Sequence, residues 1–424
     1  MLSSYFSWME HVDARVLRAG GTSDNHMRPL YLPYEAPPLL RVEPVCTLRD
    51  HTDRIWCVAW CPTANVVASC SGDGTVRLWG YMLNVGREEI PNGRDQNGTW
   101  SCIYTLEGEH SRTVRHVSWS PSGTFIACAS FDRTASVWRR VSDDPNCFEF
   151  ELEAILDGHE NEVKCAAWGT DNTLATCSRD RTVWVWDRVD VGEFECAGVL
   201  AGHAQDVKAC AWLFPSGGVE KPLLFSCSYD NTVKVWTESH KRDDWYCHQT
   251  LTRHDGTVWS VAVQPIEQPI DSLQMEEEER EGTALEYSPV VCCSSDDKTV
   301  TFWSRDGDGN FRSVCTASGF AERTIYSVGW APSGSDVSPA IVACGSGDNK
   351  VTLLGVYQSR GYEEVHVSVV AEVPSAHEAD VNTVAFSRST NELWGDNSRG
   401  GEGLLLASGG DDNIVRIWRV TAAL

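Results

Sequence analysis

Residues 159–187 read HENEVKCAAWGTDNTLATCSRDRTVWVWD, and variants of this pattern recur along the chain. A His precedes a short apolar run ending in Trp, a Ser- or Thr-containing run follows, and an Asp turn leads into a run that closes on Trp. Seven copies occur, and their His, Asp and closing residues are His51, Asp73 and Trp79; His110, Asp132 and Trp138; His159, Asp180 and Trp186; His203, Asp230 and Trp236; His254, Asp297 and Trp303; Ala321, Asp348 and Leu354; and His377, Asp412 and Trp418.

The short runs inside each copy have the composition of β-strands. TVWVW at 182–186 and TVKVW at 232–236 alternate β-branched residues with others at a period of two, and Gly-, Pro- and Ser-rich turns separate such runs. Four short strands cannot bury their faces alone, whereas units stacked radially around an axis form a continuous core. The sequence therefore predicts an all-β fold, a seven-bladed β-propeller built from WD40-type repeats.

Closure of such a ring needs one strand from outside the last copy, because the chain ends soon after its third strand, VRIW at 415–418. Residues 39–48 precede His51 and occupy the outer-strand position, so we expect them to complete the last blade. Residues 39–424 then form the propeller, and residues 1–38 form a flexible or locally docked extension. Insertions are expected at 80–99, 264–288 (with the acidic run 276–281) and 387–403.

The recurring His, Asp and Trp are expected to form, with a strand Ser or Thr, a buried hydrogen-bonded chain in each blade. The alternative is that the His/Asp pairs are catalytic, but one active site does not need six equivalent pairs. In copy six, Ala321 takes the His position and Leu354 the Trp position, so packing without the polar chain should hold that blade.

Composition limits the classes of function. The chain has 424 residues, with 35 Lys and Arg against 60 Asp and Glu, a formal net charge of -25. Nucleic acids and anionic membranes bind through Lys and Arg, so neither is an expected partner. No apolar run approaches the roughly 18 residues of a membrane-spanning helix, and the N-terminus lacks signal-peptide features. With many of its 17 Cys inside strand-like runs, the protein is expected in the cytoplasm.

No catalytic motif occurs: phosphate-binding loops, dinucleotide fingerprints, nucleophile elbows and zinc-protease helices are all absent from the sequence. Cys292 and Cys293 are the only tight Cys pair, and adjacent strand residues point to opposite faces. We therefore expect no catalytic residue, no cofactor and no bound metal, with the Cys acting as small buried apolar side chains.

Two repeat positions are expected to point to one face of the propeller, around the mouth of its channel. They are the residue before the turn Asp and the residue after the apolar residue that opens the first strand, and both carry types enriched at interaction hot spots. The candidate partner-binding residues are Arg179, Phe131 and Tyr229 at the first position, and Trp56, Arg115, Lys164, Lys208, Trp259 and Tyr326 at the second. The alternative is that these are separate surface residues, with Arg179 merely paired to an acid.

Several segments closely resemble the WD40 protein of the cytosolic iron–sulfur protein assembly (CIA) machinery, among them HTDRIWCVAW at 51–60, HENEVKCAAW at 159–168 and SGFAERTIYSVGW at 318–330. The resemblance covers about residues 39 to 419. It implies a propeller without enzymatic activity, in a targeting complex that passes iron–sulfur clusters to apo-proteins. The surface arginine important in that family lies in a Ser-Arg-Asp turn, which corresponds to Arg179 here.

The partners that this resemblance implies are a MIP18-type (DUF59) protein, an MMS19-type HEAT-repeat adaptor, a hydrogenase-like iron–sulfur protein and apo iron–sulfur clients. The chain itself would be monomeric within the complex, in the cytoplasm and also in the nucleus, where some clients act.

Two other functions are considered. One is a WD40 substrate receptor of a cullin-type ubiquitin ligase, whose Trp-Asp-x-Arg motif is matched here only by Trp186-Asp187-Arg188-Val189. The other is a redox carrier that binds metal or a cluster through its Cys. This second function needs several Cys to converge on one site, which their positions inside strands disfavour.

Overall fold

The strands of the computed structural model are short and antiparallel. The model describes residues 40–82, 98–142, 144, 147–214, 221–239, 244–265, 289–332, 340–358, 365–388 and 403–423. Within these ranges there are 28 β-strands and no α-helix, so none that could cross a membrane. The strands group into seven four-stranded sheets, the blades.

Strand β1 spans Leu40–Leu48, and the blades follow in chain order. Blade one holds β2 (Ile55–Trp60), β3 (Val66–Ser71), β4 (Val76–Met82) and β5 (Thr99–Leu106). Blade two holds β6 (Val114–Trp119), β7 (Phe125–Ser130), β8 (Ala135–Arg140) and β9 (Phe150–Leu156). Blade three holds β10 (Val163–Thr170), β11 (Thr173–Ser178), β12 (Thr182–Asp190) and β13 (Glu193–Ala201). Blade four holds β14 (Val207–Leu213), β15 (Leu223–Ser228), β16 (Thr232–Glu238) and β17 (Trp245–Thr252).

Blade five holds β18 (Val258–Val263), β19 (Val291–Ser295), β20 (Val300–Arg305) and β21 (Phe311–Ala317). Blade six holds β22 (Ile325–Trp330), β23 (Ala340–Ser346), β24 (Val351–Gln358) and β25 (Val365–Val373). Blade seven holds β26 (Val381–Phe386), β27 (Leu404–Gly410), β28 (Val415–Ala422) and β1. These seven sheets confirm the predicted all-β, seven-bladed propeller.

The last blade contains the first strand of the chain. β1 runs antiparallel to β28, from Leu40 opposite Ala422 to Leu48 opposite Val415, which confirms the predicted ring closure. The predicted extension 1–38 lies outside the described residues, as do most residues of the predicted insertions 80–99, 264–288 and 387–403.

The core of the described chain lies between blades. Its seven clusters of buried apolar residues each join two neighbouring blades. Between blades three and four, for example, Val183 of β12 lies in the same cluster as Val207 of β14 and Trp236 of β16. Since no blade can bury its faces without its neighbours, the ring is stable only as a whole.

The Trp that ends most inner strands links adjacent blades. In four blades its indole N–H donates to a backbone carbonyl of the preceding blade: Trp60 to Ala385 at 2.9 Å, Trp119 to Ala59 at 3.1 Å, Trp212 to Ala167 at 3.0 Å and Trp330 to Ala262 at 3.2 Å. The repeat pattern marks this Trp position, but only the packed ring shows that its hydrogen bond goes to another blade.

The predicted polar chain is complete in five blades. In blade three, Trp186 Nε1 donates to Thr176 Oγ1 at 2.9 Å, and Thr176 lies 2.9 Å from His159 Nε2. Because a carboxylate can only accept, His159 donates its Nδ1–H to Asp180 Oδ2, at 2.7 Å. Ser69, Ser226 and Ser408 play the part of Thr176 in blades one, four and seven. In blade two a third-strand hydroxyl, that of Ser136, replaces the second-strand one.

Blade five departs from the predicted chain. Cys293 stands four residues before its turn Asp, where blades one, three, four and seven have Ser or Thr. His254 still pairs with Asp297 at 2.9 Å, but His254 Nε2 and Trp303 Nε1 are buried without a hydrogen-bond partner among the described residues. A hydroxyl would accept from the indole and donate to the imidazole, whereas the thiol makes neither contact.

In blade six the three corresponding positions are all apolar. Ala321, Cys344 and Leu354 are buried in one cluster, as expected of a blade held by packing. The remaining Asp348 accepts the backbone N–H of Glu322 at 2.8 Å and the hydroxyl of Ser346. Blade six thus lacks the His, the hydroxyl and the Trp of the polar chain, and Asp348 is the one member of that chain that remains.

Replacing Cys293 by Ser is expected to stabilise the protein. The new hydroxyl would satisfy His254 and Trp303, two buried groups that each carry a desolvation cost, so we expect a gain of about 1–2 kcal/mol in the free energy of unfolding. Denaturant unfolding of wild type and Cys293→Ser measures it. The matched control is Cys344→Ser in blade six, where no His or Trp is available and the buried hydroxyl should destabilise instead. Equal shifts in both variants would contradict the assignment.

Candidate functional site

The second residue of each inner strand lies at the mouth of the channel, where five of the seven line one cavity shared by blades one, two, five, six and seven. The seven residues are Trp56, Arg115, Lys164, Lys208, Trp259, Tyr326 and Asn382. In all seven blades a β-bulge leaves this residue unpaired, as at Lys164, where the pairing register shifts between Val163 and Cys165. A bulge re-aims the side chain that it carries, which explains why one repeat position lines the mouth.

The residue before each turn Asp lies beside this ring. Its backbone N–H donates to a carbonyl just before the inner strand, as from Phe131 to Thr113 at 3.0 Å, Arg179 to Glu162 at 2.9 Å and Tyr229 to Asp206 at 2.9 Å. The residue after the turn Asp has a positive φ in all seven blades, such as +74° at Arg181 and +82° at Gly74, which folds the turn back toward the mouth. The two predicted positions therefore form one surface, which we call the rim.

Aromatic and basic side chains of the rim contact one another. The Lys164 ammonium lies 3.9 Å from the ring centre of Phe131, and the Arg115 guanidinium lies 4.8 Å from that of Trp56. The Lys208 ammonium lies 5.1 Å from the ring of Tyr229 and 5.0 Å from that of Trp259. Trp259 in turn packs edge-on against Tyr326 at 5.2 Å. The structure thus brings the predicted residues together as neighbours on one face.

Acidic residues that the sequence analysis did not single out balance the rim cations of blades two to four. Glu162 accepts from Lys164 at 2.6 Å and from Arg112 at 3.2 Å, and it lies 3.6 Å from Arg179. Burial would raise the pKa of Glu162, but Lys164, Arg112 and Arg179 lower it. Glu162 is the residue just before the opening apolar residue of its copy, so the same repeat register could have identified it.

Arg179 is more available to a partner than the two lysines of this sector. Its side chain is 52% exposed, against 11% for both Lys164 and Lys208. Its contacts with Glu162 and Asp206 are long, at 3.6 and 3.9 Å. Arg179 is therefore paired with nearby acids, which is the alternative given in the sequence analysis. Its guanidinium group nevertheless still directs donors toward solvent.

The rim of blades five to seven is acidic, and its polar groups are paired within the chain. Trp259 Nε1 donates to Asp296 Oδ1 at 2.7 Å, and Asn382 Nδ2 donates to Asp411 Oδ1 at 2.7 Å. Asp380 accepts from Arg323 at 2.9 Å. The mouth thus has a cationic half in blades two to four and an aromatic, acidic half opposite.

The His of the six His/Asp pairs are buried, with side chains at most 4% exposed. Burial would raise the pKa of each Asp, but the hydrogen bond from its His holds that pKa well below the usual value, at about 2 for Asp297. Carboxylates held ionised inside a structural chain suit the scaffold role better than acid–base chemistry.

The expectation that strand positions keep the Cys apart is wrong for three of them. The sulfurs of Cys165, Cys177 and Cys210 all lie within 4.8 Å of one another. Cys165 of β10 is directly opposite Cys177 of β11, and the packing of blade four against blade three adds Cys210 of β14. All 17 Cys of the chain are free thiols.

Comparison with known families matches the repeats. The family model for the WD domain, G-beta repeat, matches residues 42–80, 100–139, 150–187, 194–237 and 369–419. Blades five and six are not matched. In blade five the long segment 264–290 separates the first two strands of the repeat. Blade six lacks the His and the Trp of the repeat.

Similar proteins are named for cytosolic iron–sulfur assembly. A "Probable cytosolic iron-sulfur protein assembly protein 1" from Cryptococcus neoformans is 30% identical, over 90% of this chain and 99% of its own length. The "Probable cytosolic iron-sulfur protein assembly protein Ciao1" of Culex quinquefasciatus is 34% identical, over 88% of this chain and 96% of its own. A Vanderwaltozyma polyspora relative with the first name is 31% identical, over 88% and 98%. The chain therefore belongs to the WD40-repeat family of cytosolic iron–sulfur protein assembly proteins.

Proposed function

We propose that this chain is a non-catalytic scaffold of the CIA targeting complex, which helps to deliver iron–sulfur clusters to cytosolic and nuclear apo-proteins through contacts on the propeller surface. The observation that carries the proposal is the set of aromatic and basic side chains that contact one another on the rim of blades one to five, on a chain of this family. The partners are the MIP18-type protein, the MMS19-type adaptor, the hydrogenase-like iron–sulfur protein and the apo-proteins, and the location is the cytoplasm with access to the nucleus.

The cationic half of the rim suits a carboxylate-bearing partner surface. Lys164 and Lys208 are largely buried, and burial lowers the pKa of both, so they mainly orient Phe131, Tyr229 and Trp259. Arg179 stands out from them with a planar donor group that can grip a carboxylate at two points. On a chain of net charge -25 this sector is a local exception, so association should be salt-sensitive and specific to this face.

Reversing the charge of Arg179 tests the proposal. With Arg179→Glu, recovery of the MIP18-type protein or of client proteins from native lysate should fall about tenfold or more, because a charge-assisted contact becomes a repulsion beside Glu162 and Asp206. Affinity purification followed by quantitative mass spectrometry measures it, with thermal unfolding to show that the ring is intact.

The matched control is Arg312→Glu, a charge reversal at an exposed position on β21, the outer strand of blade five. It should leave recovery of partners at the wild-type level. Full retention of both the MIP18-type protein and clients by Arg179→Glu would refute the assignment of this surface.

The ubiquitin-ligase receptor is not favoured by the local geometry. Val189 takes the position of the motif's Arg and is 52% exposed, and the neighbouring Arg188 turns inward to Glu153 at 2.7 Å. No guanidinium is therefore presented at that position of the motif. Recovery of a cullin adaptor in the same purification would favour the ubiquitin-ligase receptor over the scaffold.

A further inference from the structure

We propose that Cys165, Cys177 and Cys210 form a three-thiolate site for one zinc ion in the interface between blades three and four. No other His, Cys, Asp or Glu of the described residues completes a comparable group of three. The site is separate from the rim, so it can hold or fail independently of the scaffold function.

The sulfur positions suit one thiophilic ion. Cys210 Sγ lies 3.7 Å from Cys165 Sγ, and all three sulfurs lie within 4.8 Å of one another. Zinc binds thiolates at about 2.3 Å, so two sulfurs on one tetrahedral ion are separated by about 3.8 Å. Small side-chain rotations therefore bring all three sulfurs to one ion without moving the strands.

Burial makes the three thiols an unusual set. Cys177, Cys165 and Cys210 are 0, 1 and 6% exposed, and they hydrogen-bond mainly to one another and to backbone carbonyls. Three thiolates in so dry a place need compensating charge, and a divalent ion leaves one residual negative charge where a monovalent ion leaves two. The ion that we assign to the site is therefore the divalent, thiophilic zinc ion.

His116 provides an outer contact of the kind that metal thiolates have. It lies on β6, the inner strand of blade two, beside the thiols of Cys165 and Cys57. Its Nδ1 accepts the backbone N–H of Ala166 at 3.5 Å, which leaves the Nε2–H to donate toward sulfur. Such a donor fixes the orientation of a metal-bound thiolate. With three sulfurs supplied by the protein, the fourth position of the ion is open to a small exogenous ligand.

Cobalt(II), which reports tetrahedral thiolate coordination by its colour, is the probe. The full chain is refolded under reducing, anaerobic conditions with Co²⁺ alone, and with Zn²⁺ in competition. We expect about one Co²⁺ per chain, a thiolate-to-cobalt charge-transfer band, strong visible bands and bleaching by Zn²⁺.

The variants are Cys177→Ser and Cys210→Ser, with Cys227→Ser as the matched control. Cys227 occupies in blade four the same strand position as Cys177 in blade three, is equally buried at 0% exposure, and lies outside the group of three. The band should disappear in the first two variants and persist in the third, with all three proteins folded by near-ultraviolet circular dichroism. Absence of the band in wild type, or its persistence in Cys177→Ser or Cys210→Ser, would overturn the proposal.

Discussion

A chain that starts after Leu48 is expected to lose cooperative folding, because it lacks β1. Eight residue pairs join β1 to β28, from Leu40 with Ala422 to Leu48 with Val415. Leu48, at 5% exposure, lies in the core between blades seven and one, and Leu40 and Val42 pack against the core between blades six and seven. The closing strand thus contributes to two of the seven interfaces between blades.

The expected loss is comparable to the whole stability of the protein. Burying one large apolar side chain is worth about 1.5–3 kcal/mol, so losing a few such contacts costs about 5 kcal/mol or more, against a typical total of about 5–15 kcal/mol. Removal of β1 also exposes β28 as an unpaired edge, which favours aggregation. We therefore expect the truncated chain to be largely insoluble or to unfold at much lower denaturant concentration.

The control for this truncation is a chain that starts at residue 39. It keeps β1 whole, so it should retain a single cooperative transition in urea and elute as a monomer in size-exclusion chromatography. If the chain starting at residue 49 unfolds at the same urea concentration as the control, closure by β1 is not what holds the ring together.

Stability is expected to fall steeply as the pH drops below about 4, because of the six His/Asp pairs. Burial would raise the pKa of each paired Asp, but the His and the neighbouring hydrogen bonds together outweigh it and lower the pKa in the folded protein, to about 2 for Asp297. An unfolded Asp, with a pKa near 3.9, binds a proton that the folded one does not. The stabilisation is therefore complete above the unfolded pKa and is lost as the pH falls toward the folded one, by about 1.4 kcal/mol per pH unit for each such Asp.

Asp180→Asn isolates one pair. An amide cannot accept from His159 with the strength of a carboxylate, so we expect a loss of about 2–4 kcal/mol near neutral pH. The stability of the variant should then fall with acid by about 1.4 kcal/mol per pH unit less steeply than that of wild type. Urea unfolding followed by Trp fluorescence at several pH values measures both quantities.

Asp348→Asn in blade six is the comparison, because that blade has no His at the corresponding position. It should cost less stability than Asp180→Asn near neutral pH. Identical acid profiles for wild type and Asp180→Asn would show that the His/Asp pair does not carry the pH dependence.

Much of the rim could be predicted because a repeat turns sequence position into spatial position. Lys164 and Lys208 occupy the same place in consecutive copies, so they had to be neighbours once the copies were stacked around an axis. The acids Glu162 and Asp206 obey the same rule two residues earlier in their copies, but they are not of the basic and aromatic types that mark interaction hot spots. That Arg179 stays half exposed while both lysines are buried depends on side-chain packing, which repeat spacing does not encode.

Blade five shows where a repeat pattern misleads. Its His, Asp and Trp are all present in the sequence, so the polar chain was expected to be complete. The missing member is a hydroxyl, replaced by the thiol of Cys293, and a Cys in a strand looks like any other small buried residue. Blade two has the same replacement at Cys128 and compensates with Ser136, which only the side-chain contacts reveal.

By itself, the sequence determined the number of blades, the His, Asp and Trp of the polar chains and the strand that closes the ring. These follow from local periodicity and from counting strands. Only the tertiary structure decided what happens between blades: the indole bonds from Trp60 to Ala385 and from Trp119 to Ala59, the pairing of the rim charges, and the meeting of Cys210 with Cys165 and Cys177. The physical reason is that these contacts join separate strands, and they depend on how far each bulged strand turns its side chains toward the neighbouring blade.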